Sequence, residues 1–453
     1  MCIGMSDEAV VAKKVRETEK SEGLQLYSLS TLTTQVRRIE GEETKSLPIT
    51  REMVWNAWGK VKSNKGSAGV DQVSLEEYQQ DLLNNLYKLW NRLSSGSYFP
   101  PSVREVKIPK QAGGHRKLGI PTVSDRIAQE VIKSYLEPRL EKEFHKQSYG
   151  YRPLKSAHQA IAAVRENVRH YAWVIDMDIK SFFDEVDHEL LLKALDRHVN
   201  ENWIKLYVIR WLEAPVKGED GQLTTRQRKG TPQGGVISPL LSNLFLHYAL
   251  DKWLEHHYPH ISFVRYADDI IVHCSSEEEA KQMMQSLQYR LHTCHLRLNT
   301  EKTKIVYCQD YRREKKQYSK KFDFLGFRFQ PRSARSNTGG MFLGFDCAIS
   351  PTSEKRITQQ WKSLKIHKWC SQNLQDIAIK MNPVLHGILH YYGKIKKWAL
   401  ERLARRFNFR LAKWALNKYK RFRNSYKRAY EWLREVRMYY PNLFYHWTLF
   451  KTM

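Results

Sequence analysis

Two adjacent aspartates stand inside an apolar run, in the stretch FVRYADDIIV at residues 263–272. The apolar side chains on either side of them, Val264 and residues 270–272, predict two strands. Asp268 and Asp269 would then lie at the tip of a hairpin, where ionised carboxylates are costly to bury without a partner. A bound cation is one such partner, and an ordinary polar hairpin turn is the alternative.

A second acidic strand favours the cation. The sequence WVIDMDIKSFF at 173–183 predicts a strand with Asp176 and Asp178 on one face, because side chains alternate along a strand. Carboxylates that converge from separate strands can hold two divalent cations around an in-line phosphoryl displacement. Hard cations such as Mg²⁺ prefer oxygen ligands. The sequence therefore predicts a two-metal site.

The charge of the chain points to a polyanionic partner. The 453 residues contain 75 Lys plus Arg and 48 Asp plus Glu, a net charge of +27. Residues 351–453 alone hold 23 basic and 5 acidic residues, which is +18 of that total. Nucleic acid is the partner that this balance favours.

The cysteines and the apolar runs indicate an intracellular protein. None of the six cysteines forms a CxxC pair, so we expect free thiols and no zinc knuckle. No apolar stretch reaches the length of a membrane span. We therefore expect a cytoplasmic, nucleic-acid-associated protein with no membrane partner.

Patterning along the chain predicts mixed strands and helices before a helical C-terminal region. Residues 103–132 predict a strand, a glycine turn, a second strand and a helix that Ser124 would cap. A long helix is expected from about Pro239. We predict one strand at 322–329, with polar turns to about residue 341.

Several blocks in order resemble the motifs of reverse transcriptases, most closely those encoded by group II introns. The blocks are IPKQAGGHRKLGIPT (108–122), DIKSFFD (178–184), GTPQGGVISPLLSNLFL (230–246), YADD (266–269) and FLGFRF (324–329). NPVLHGILHYYG (382–393) and LAKWALNKYKR (411–421) resemble the thumb or maturase domain of that family. The resemblance covers roughly residues 50–450.

The resemblance implies an α/β right-hand polymerase with an all-α thumb. Fingers and palm, with an antiparallel sheet, would span residues 48–345, and the thumb/maturase domain would span 346–453. Residues 1–47 would form an N-terminal extension.

The resemblance also assigns roles to individual residues. The catalytic metal ligands would be Asp178, Asp268 and Asp269. Lys110, Arg116, Phe183 and Gln233 would bind the nucleotide, with Phe183 excluding a 2′-OH; core packing is the alternative for Phe183. Lys302 is a candidate general acid, with Lys304 as its competitor.

The basic C-terminal region is expected to grip RNA. Lysines and arginines can neutralise phosphates, and we expect most of its tryptophans to pack in the core. The candidate RNA contacts are Arg402, Arg405, Arg406, Lys413, Lys418, Lys420, Arg421 and Arg423.

The function implied is that of an RNA-directed DNA polymerase with two Mg²⁺ ions, which also acts as a maturase. It would extend a DNA or RNA primer on an RNA template with dNTPs, bind its group II intron RNA, and support splicing and retrohoming into a DNA target site. Two alternatives stay open: a related enzyme of phage defence or CRISPR adaptation, and a splicing factor whose polymerase has decayed. Because the sequence to Met453 lacks an HNH-like pattern, we expect no cleavage of the second DNA strand.

Overall fold

The computed structural model describes residues 47–109, 114–336, 339–422 and 424–450. These residues form two compact units. The first takes its described residues from Met1–Ser134 and Leu206–Thr225, and the second from Tyr135–Lys205 and Arg226–Met453. The fold is a mixture of helices and mainly antiparallel sheets, as predicted. The predicted domain boundary near residue 346 stays a prediction.

The strands form three sheets. In chain order they are β1 (Val103–Pro109), β2 (His115–Ile120), β3 (Trp173–Asp178), β4 (Val216–Lys217), β5 (Leu223–Thr224), β6 (Ser262–Tyr266), β7 (Asp269–Cys274), β8 (Lys304–Tyr307), β9 (Phe322–Phe324), β10 (Phe327–Arg335) and β11 (Met341–Ile349). The sheet orders are β2-β1-β4-β5, β6-β7-β3-β8 and β11-β10-β9.

The α-helices of the described residues precede, separate and follow these strands. They are α1 (Arg51–Asn64), α2 (Leu75–Gln80), α3 (Leu82–Ser94), α4 (Val123–Glu143), α5 (Ala157–His170), α6 (Phe182–Glu185), α7 (His188–Asp196), α8 (Asn202–Glu213), α9 (Ser238–Leu246), α10 (Lys252–His257), α11 (Glu277–Thr293), α12 (Pro351–Ser363), α13 (Leu374–Lys396), α14 (Glu401–Lys418), α15 (Tyr426–Tyr439) and α16 (Tyr445–Leu449).

The first unit contains the predicted strand, turn, strand and helix. Strands β1 and β2 form an antiparallel hairpin, and α4 follows. The predicted cap was wrong by two residues: Thr122 Oγ1 accepts from the backbone nitrogen of Asp125 at 3.2 Å. Ser124 lies inside the helix, because the chain can turn into the helix directly after Pro121.

The second unit is built on the central sheet β6-β7-β3-β8, in which each strand runs antiparallel to its neighbours. The predicted hairpin is formed by β6 and β7, and Asp268 lies in its turn. Helix α5 packs on this sheet through buried apolar side chains spaced three and four residues apart, including Ile161, Val164 and Val168. Its start is fixed by a reciprocal capping box between Ser156 and Gln159.

Three predicted elements differ from the structure. The strand predicted at 173–183 ends at Asp178, because Ser181 has a φ of 47° and the chain turns into α6. The helix expected from about Pro239 begins at Ser238 and contains a π-helical turn at His247–Asp251. The region 322–349 is a three-stranded sheet rather than one strand followed by turns.

The hairpin between β9 and β10 has a physical cause. Leu325 and Gly326 have φ values of 49° and 81°, which fit a tight two-residue turn. A Cβ on Gly326 would lie 2.9 Å from the Tyr392 hydroxyl. Tyr391 donates its hydroxyl to the Leu325 carbonyl at 3.0 Å. The turn therefore docks on helix α13.

The C-terminal helices share one apolar core with the central sheet and the β9–β11 sheet. Trp361, Trp414 and Trp447 are buried in it, which confirms the core assignment for these tryptophans. The five described cysteines are free, as predicted. Among the described residues, no helix has the length and apolar character needed to cross a membrane.

Candidate active site

Three aspartates lie at one end of the central sheet. Strand β3 ends at Asp178, which stands directly opposite Asp269, the first residue of β7. Asp268 precedes Asp269 in the turn from β6. The structure thus brings the three predicted carboxylate positions to the same sheet end.

Two lysines flank the acidic face of β3. Lys304 Nζ lies 3.3 Å from an oxygen of Asp176. Lys302 Nζ lies 3.2 Å from Asp178 Oδ2, and Asn299 Nδ2 donates to the same oxygen at 2.8 Å. Of the two lysines that the sequence left as alternatives, Lys302 is the one that contacts Asp178.

Negative charge accumulates at this end of the sheet. The Asp269 side chain is exposed, but neighbouring protein atoms displace part of its water. That desolvation, together with the charges of the neighbouring aspartates, raises the pKa of Asp269 to about 7. Desolvation also raises the pKa of Asp176 to about 6, against the opposing effect of Lys304. A cationic ligand would offset this repulsion.

The donor chemistry fits a hard divalent cation, because carboxylate oxygens are the ligands that Mg²⁺ prefers. Within the described ranges, however, no group of three or more His, Cys, Asp or Glu side chains is arranged so that it could hold a metal ion. One oxygen of Asp178 is bonded to Lys302 and Asn299. The chemistry of the residues therefore supports a cation site, while a formed ligand set is not seen.

The turn that carries Asp268 is held from behind by a neighbouring segment. Ala267 has a φ of 57° and packs against Gly150. A Cβ at Gly150 would overlap the backbone nitrogen of Ala267. The Gly150 carbonyl accepts from Asn243 Nδ2 at 2.7 Å. The position of the turn therefore requires glycine at residue 150.

A fully buried ion pair supports the same turn. Arg265 donates from Nε and Nη2 to the two oxygens of Asp251, at 2.8 and 2.5 Å. Its Nη1 donates to Asn243 Oδ1 at 2.9 Å and to the Ala267 carbonyl at 3.2 Å. Burial raises the pKa of Asp251, but the Arg265 charge and hydrogen bonds from His247 and Arg265 outweigh it and hold that pKa below its usual value. The network ties helix α9 and the π-helical turn to the strand before Asp268.

Sequence reasoning missed these supporting residues. The available signal was a charged residue in each of two apolar runs: Arg265 in FVRYADD and Asp251 in NLFLHYALDKWL. A buried charge needs a partner, and these two supply each other.

We expect Gly150→Ala to lower the rate of DNA synthesis by about a hundredfold, because displacing a catalytic group by about 1 Å has effects of that size. The matched control is Gly387→Ala, since a Cβ at that helical glycine would meet no atom within 4 Å. Both variants are measured by primer extension. Equal activity of the two variants would show that the turn does not depend on Gly150.

Phe183 and Gln233 lie on two segments that are bonded to each other. The Phe183 side chain is 5% exposed, and its ring centroid lies 5.4 Å from that of Phe182. Its carbonyl accepts from the Thr231 backbone nitrogen at 2.8 Å. Gln233 is half-buried and precedes Gly234, which has a φ of 113°. The burial of Phe183 keeps core packing open as the alternative to sugar selection.

The predicted triphosphate contacts belong to the first unit. Arg116 is an exposed residue of β2, opposite Ile108 in the β1–β2 hairpin. Lys110 lies outside the described residues.

The predicted RNA contacts divide into exposed and internally bonded cations. Arg402 and Arg406 share the carboxylate of Glu354, at 2.7 and 3.0 Å, whereas Arg405 is exposed. Lys418 donates to the carbonyls of Cys370 and Gln372, which gives it a structural role. The remaining candidates have varied settings: Lys413 is half-buried, Lys420 and Arg421 are exposed with Arg421 over the Phe422 ring, and Arg423 lies outside the described residues.

Comparison with known families shows where the chain belongs. Residues 108–329 match the family described as reverse transcriptase (RNA-dependent DNA polymerase). Residues 354–432 match the group II intron, maturase-specific domain. The chain is a group II intron-type reverse transcriptase. The family predicted from the sequence motifs is thereby confirmed, and the two matches support the predicted RNA-directed DNA polymerase and maturase functions. Reverse transcriptase domains generally use divalent metal ions.

Several curated proteins are similar to this reverse transcriptase. Protein YkfC of Escherichia coli (strain K12) is 33% identical over 313 residues, which cover 60% of this chain and 79% of YkfC. The group II intron-encoded protein LtrA of Lactococcus lactis subsp. cremoris is 31% identical over 210 residues, 45% of this chain and 33% of LtrA. The putative COX1/OXI3 intron 1 protein of Saccharomyces cerevisiae is 27% identical over 307 residues, 56% of this chain and 36% of the yeast protein. This reverse transcriptase thus spans most of YkfC and about a third of the other two.

Proposed function

We propose that this reverse transcriptase copies RNA into DNA at Asp178, Asp268 and Asp269, and that its C-terminal region binds a group II intron RNA and assists its splicing and retrohoming. The observation that carries the proposal is the register of Asp178 opposite Asp269, with Asp268 in the adjoining turn. Residues 48–345 would act as fingers and palm, and residues 346–453 as the thumb. The central sheet would be the palm sheet.

In this proposal the three aspartates would hold two Mg²⁺ ions, which when bound supply Lewis-acid activation and neutralise charge on the reacting phosphates. Lys302, whose Nζ lies 3.2 Å from Asp178, would donate a proton to the leaving pyrophosphate. Gln233 would contact the incoming dNTP. This arrangement assigns each side chain near the carboxylates a separate task.

The triphosphate would be bound by cations of the β1–β2 hairpin. Arg116 and Lys110 would form charge-assisted hydrogen bonds with its oxygens. DNA target binding during retrohoming would draw on the same excess of positive charge, +27 over the chain.

The test is extension of a labelled DNA primer annealed to an RNA template, with the purified chain, Mg²⁺ and dNTPs. We expect products that reach the template end and require all four dNTPs. RNA binding without any extension would favour the alternative of a splicing factor with a decayed polymerase. An intron ribozyme flanking the gene would separate the proposed role from phage defence or CRISPR adaptation.

Phe183→Val should raise the use of rNTPs relative to dNTPs by about tenfold or more, equivalent to about 1.4 kcal/mol of lost discrimination. The reason is that a smaller side chain would no longer exclude a 2′-OH. Phe182→Val is the matched control, because Phe182 is similarly buried and packs against Phe183. Single-nucleotide extension gives the ratio for each variant. An unchanged ratio in Phe183→Val would assign this ring to the core.

Arg405→Ala should weaken RNA binding and reduce the slope of log affinity against log salt by about 0.7 to 0.9, the value of one phosphate contact. Arg405 is exposed and has no ion-pair partner in the described part of the chain. Arg139→Ala is the control, since Arg139 is paired with Glu201 at 2.7 Å. Binding is measured over a range of KCl concentrations. A lower affinity with an unchanged slope would exclude a phosphate contact.

A further inference from the structure

A cavity of about 310 Å³ lies in the second unit between the end of α5, the β10–β11 hairpin and the loop after β8. Its volume lies at the lower end of the range for small-molecule sites. Five cations and two carboxylates line it: Arg165, Arg169, Arg312, Arg332, Lys396, Asp310 and Asp346. The side chains that form the cavity therefore carry a clear excess of positive charge.

The ion pairs within the cavity leave that excess in place. Asp346 is shared by Arg165, at 2.8 Å, and Lys396, also at 2.8 Å. Asp310 is bonded to Arg312 at 2.6 Å. The remaining lining cation with no ion-pair partner in the described ranges is Arg332.

Arg332 is half-buried and bonded to the backbone. Its Nε donates to the Asp346 carbonyl at 3.2 Å, and its Nη2 to the Arg328 carbonyl at 3.3 Å. Burial lowers the pKa of this guanidinium. An anionic ligand in the cavity would offset that cost, and a phosphate suits the planar donors of arginine.

Aromatic rings stand beside these cations. Tyr311 is 66% exposed and Phe342 is 37% exposed, and their ring centroids lie 5.5 Å apart. Large exposed rings next to arginines form the surface on which an unpaired base stacks while its phosphate is bound. Both rings line the cavity.

A second cavity of about 830 Å³ shares Arg165, Asp346 and Lys396 with the first. It is lined by Lys397 and by Trp398, which is 65% exposed. Cations and an exposed ring thus recur in the adjoining space. This repetition fits consecutive nucleotides of a strand better than one free nucleotide.

The two cavities are distinct from the carboxylate site. Arg169 precedes Trp173, the first residue of β3, whereas Asp178 is the last. Six strand residues separate these ends by about 16 Å. The Cys308 nitrogen, bonded to the Ala172 carbonyl at 2.8 Å, leads directly to the lining residues 310–312.

We infer that these cavities bind an unpaired, phosphate-bearing segment of RNA, with a phosphate at Arg332 and a base against Tyr311 and Phe342. The site would hold RNA away from the reacting end of the template. The inference does not depend on polymerase activity, because no residue of the site lies among the catalytic candidates.

The test uses a ten-nucleotide single-stranded RNA that contains 4-thiouridine, cross-linked by light to the purified full chain. We expect cross-linked peptides from residues 308–312 and 342–346. Arg332→Gln should reduce this cross-link and the associated affinity by about tenfold, while Arg335→Gln on the same strand should not. Arg335 serves as the control because it donates to the Gly339 carbonyl and does not line the cavity.

Tyr311→Ala provides a second variant at an exposed position, where folding is not at risk. It should weaken binding at the site, and both variants should extend a preformed template-primer at the wild-type rate. Competition by excess uridine monophosphate distinguishes the ligands: no competition supports a strand, and full competition would overturn the strand in favour of a free nucleotide. Absence of cross-links at these peptides, or equal loss in Arg332→Gln and Arg335→Gln, would overturn the site.

Discussion

Asp178→Ala or Asp268→Ala should lower the rate of cDNA synthesis by at least about a thousandfold, equivalent to about 4 kcal/mol of transition-state stabilisation. The reason is that each change removes a proposed metal ligand at the end of the central sheet. RNA affinity should stay close to that of the wild type, because carboxylates do not bind phosphates directly. Primer extension and filter binding on the same preparations measure both quantities.

The control for these variants is Glu189→Gln. Glu189 is a surface carboxylate, 77% exposed, in a pair with Lys193 one helical turn away. It should extend primers at the wild-type rate. Extension near the wild-type rate in Asp178→Ala or Asp268→Ala would remove that residue from the proposed site.

Arg265→Met should reduce the free energy of unfolding by about 3–5 kcal/mol, the usual cost of breaking a buried ion pair. Both Arg265 and Asp251 are fully buried, so the variant leaves the Asp251 charge without its partner. Arg402→Met is the control, since Arg402 makes a similar two-pronged contact with Glu354 but is 63% exposed. The control should cost less than about 1 kcal/mol. Urea unfolding followed by tryptophan fluorescence measures both.

The double variant Arg265→Met/Asp251→Leu separates stability from positioning. Removing both charges should restore much of the stability, but DNA synthesis should stay impaired because the bond from Arg265 to Ala267 is lost. The Arg265–Asp251 pair lowers the pKa of Asp251 in the folded state. Its contribution to stability is therefore complete above the ordinary pKa of about 3.8 and is lost as the pH falls through the lower folded-state value. Full activity of the double variant would show that the network does not position the turn.

The elements with strong local patterns could be predicted from the sequence. Alternation in residues 173–178 and the apolar residues around Asp268 specify strands, so the convergence of the acidic residues followed from the chain itself. The β1–β2 hairpin was also predictable, because its glycine turn separates two short β-prone runs. These are the elements in which local preference and tertiary structure agree.

The elements that failed depend on contacts between distant residues. Residues 322–329 look like one strand, and the turn at Gly326 becomes visible only with its contact to Tyr392. The pairing of Arg265 with Asp251 joins residues 14 positions apart, through a π-helical turn that propensity does not predict. Each of these features is determined by packing that a single sequence does not display.

The most direct test of the carboxylate site is Mn²⁺ binding, followed by electron paramagnetic resonance on the full chain with a chain-terminated primer, its RNA template and the next dNTP. Mn²⁺ replaces Mg²⁺ in such oxygen-ligand sites. We predict two bound ions in the wild-type complex and the loss of at least one in Asp178→Asn and in Asp268→Asn, with Glu189→Gln unchanged. Equal Mn²⁺ binding by the wild type and both aspartate variants would contradict the assignment of these carboxylates as the metal-dependent polymerase centre.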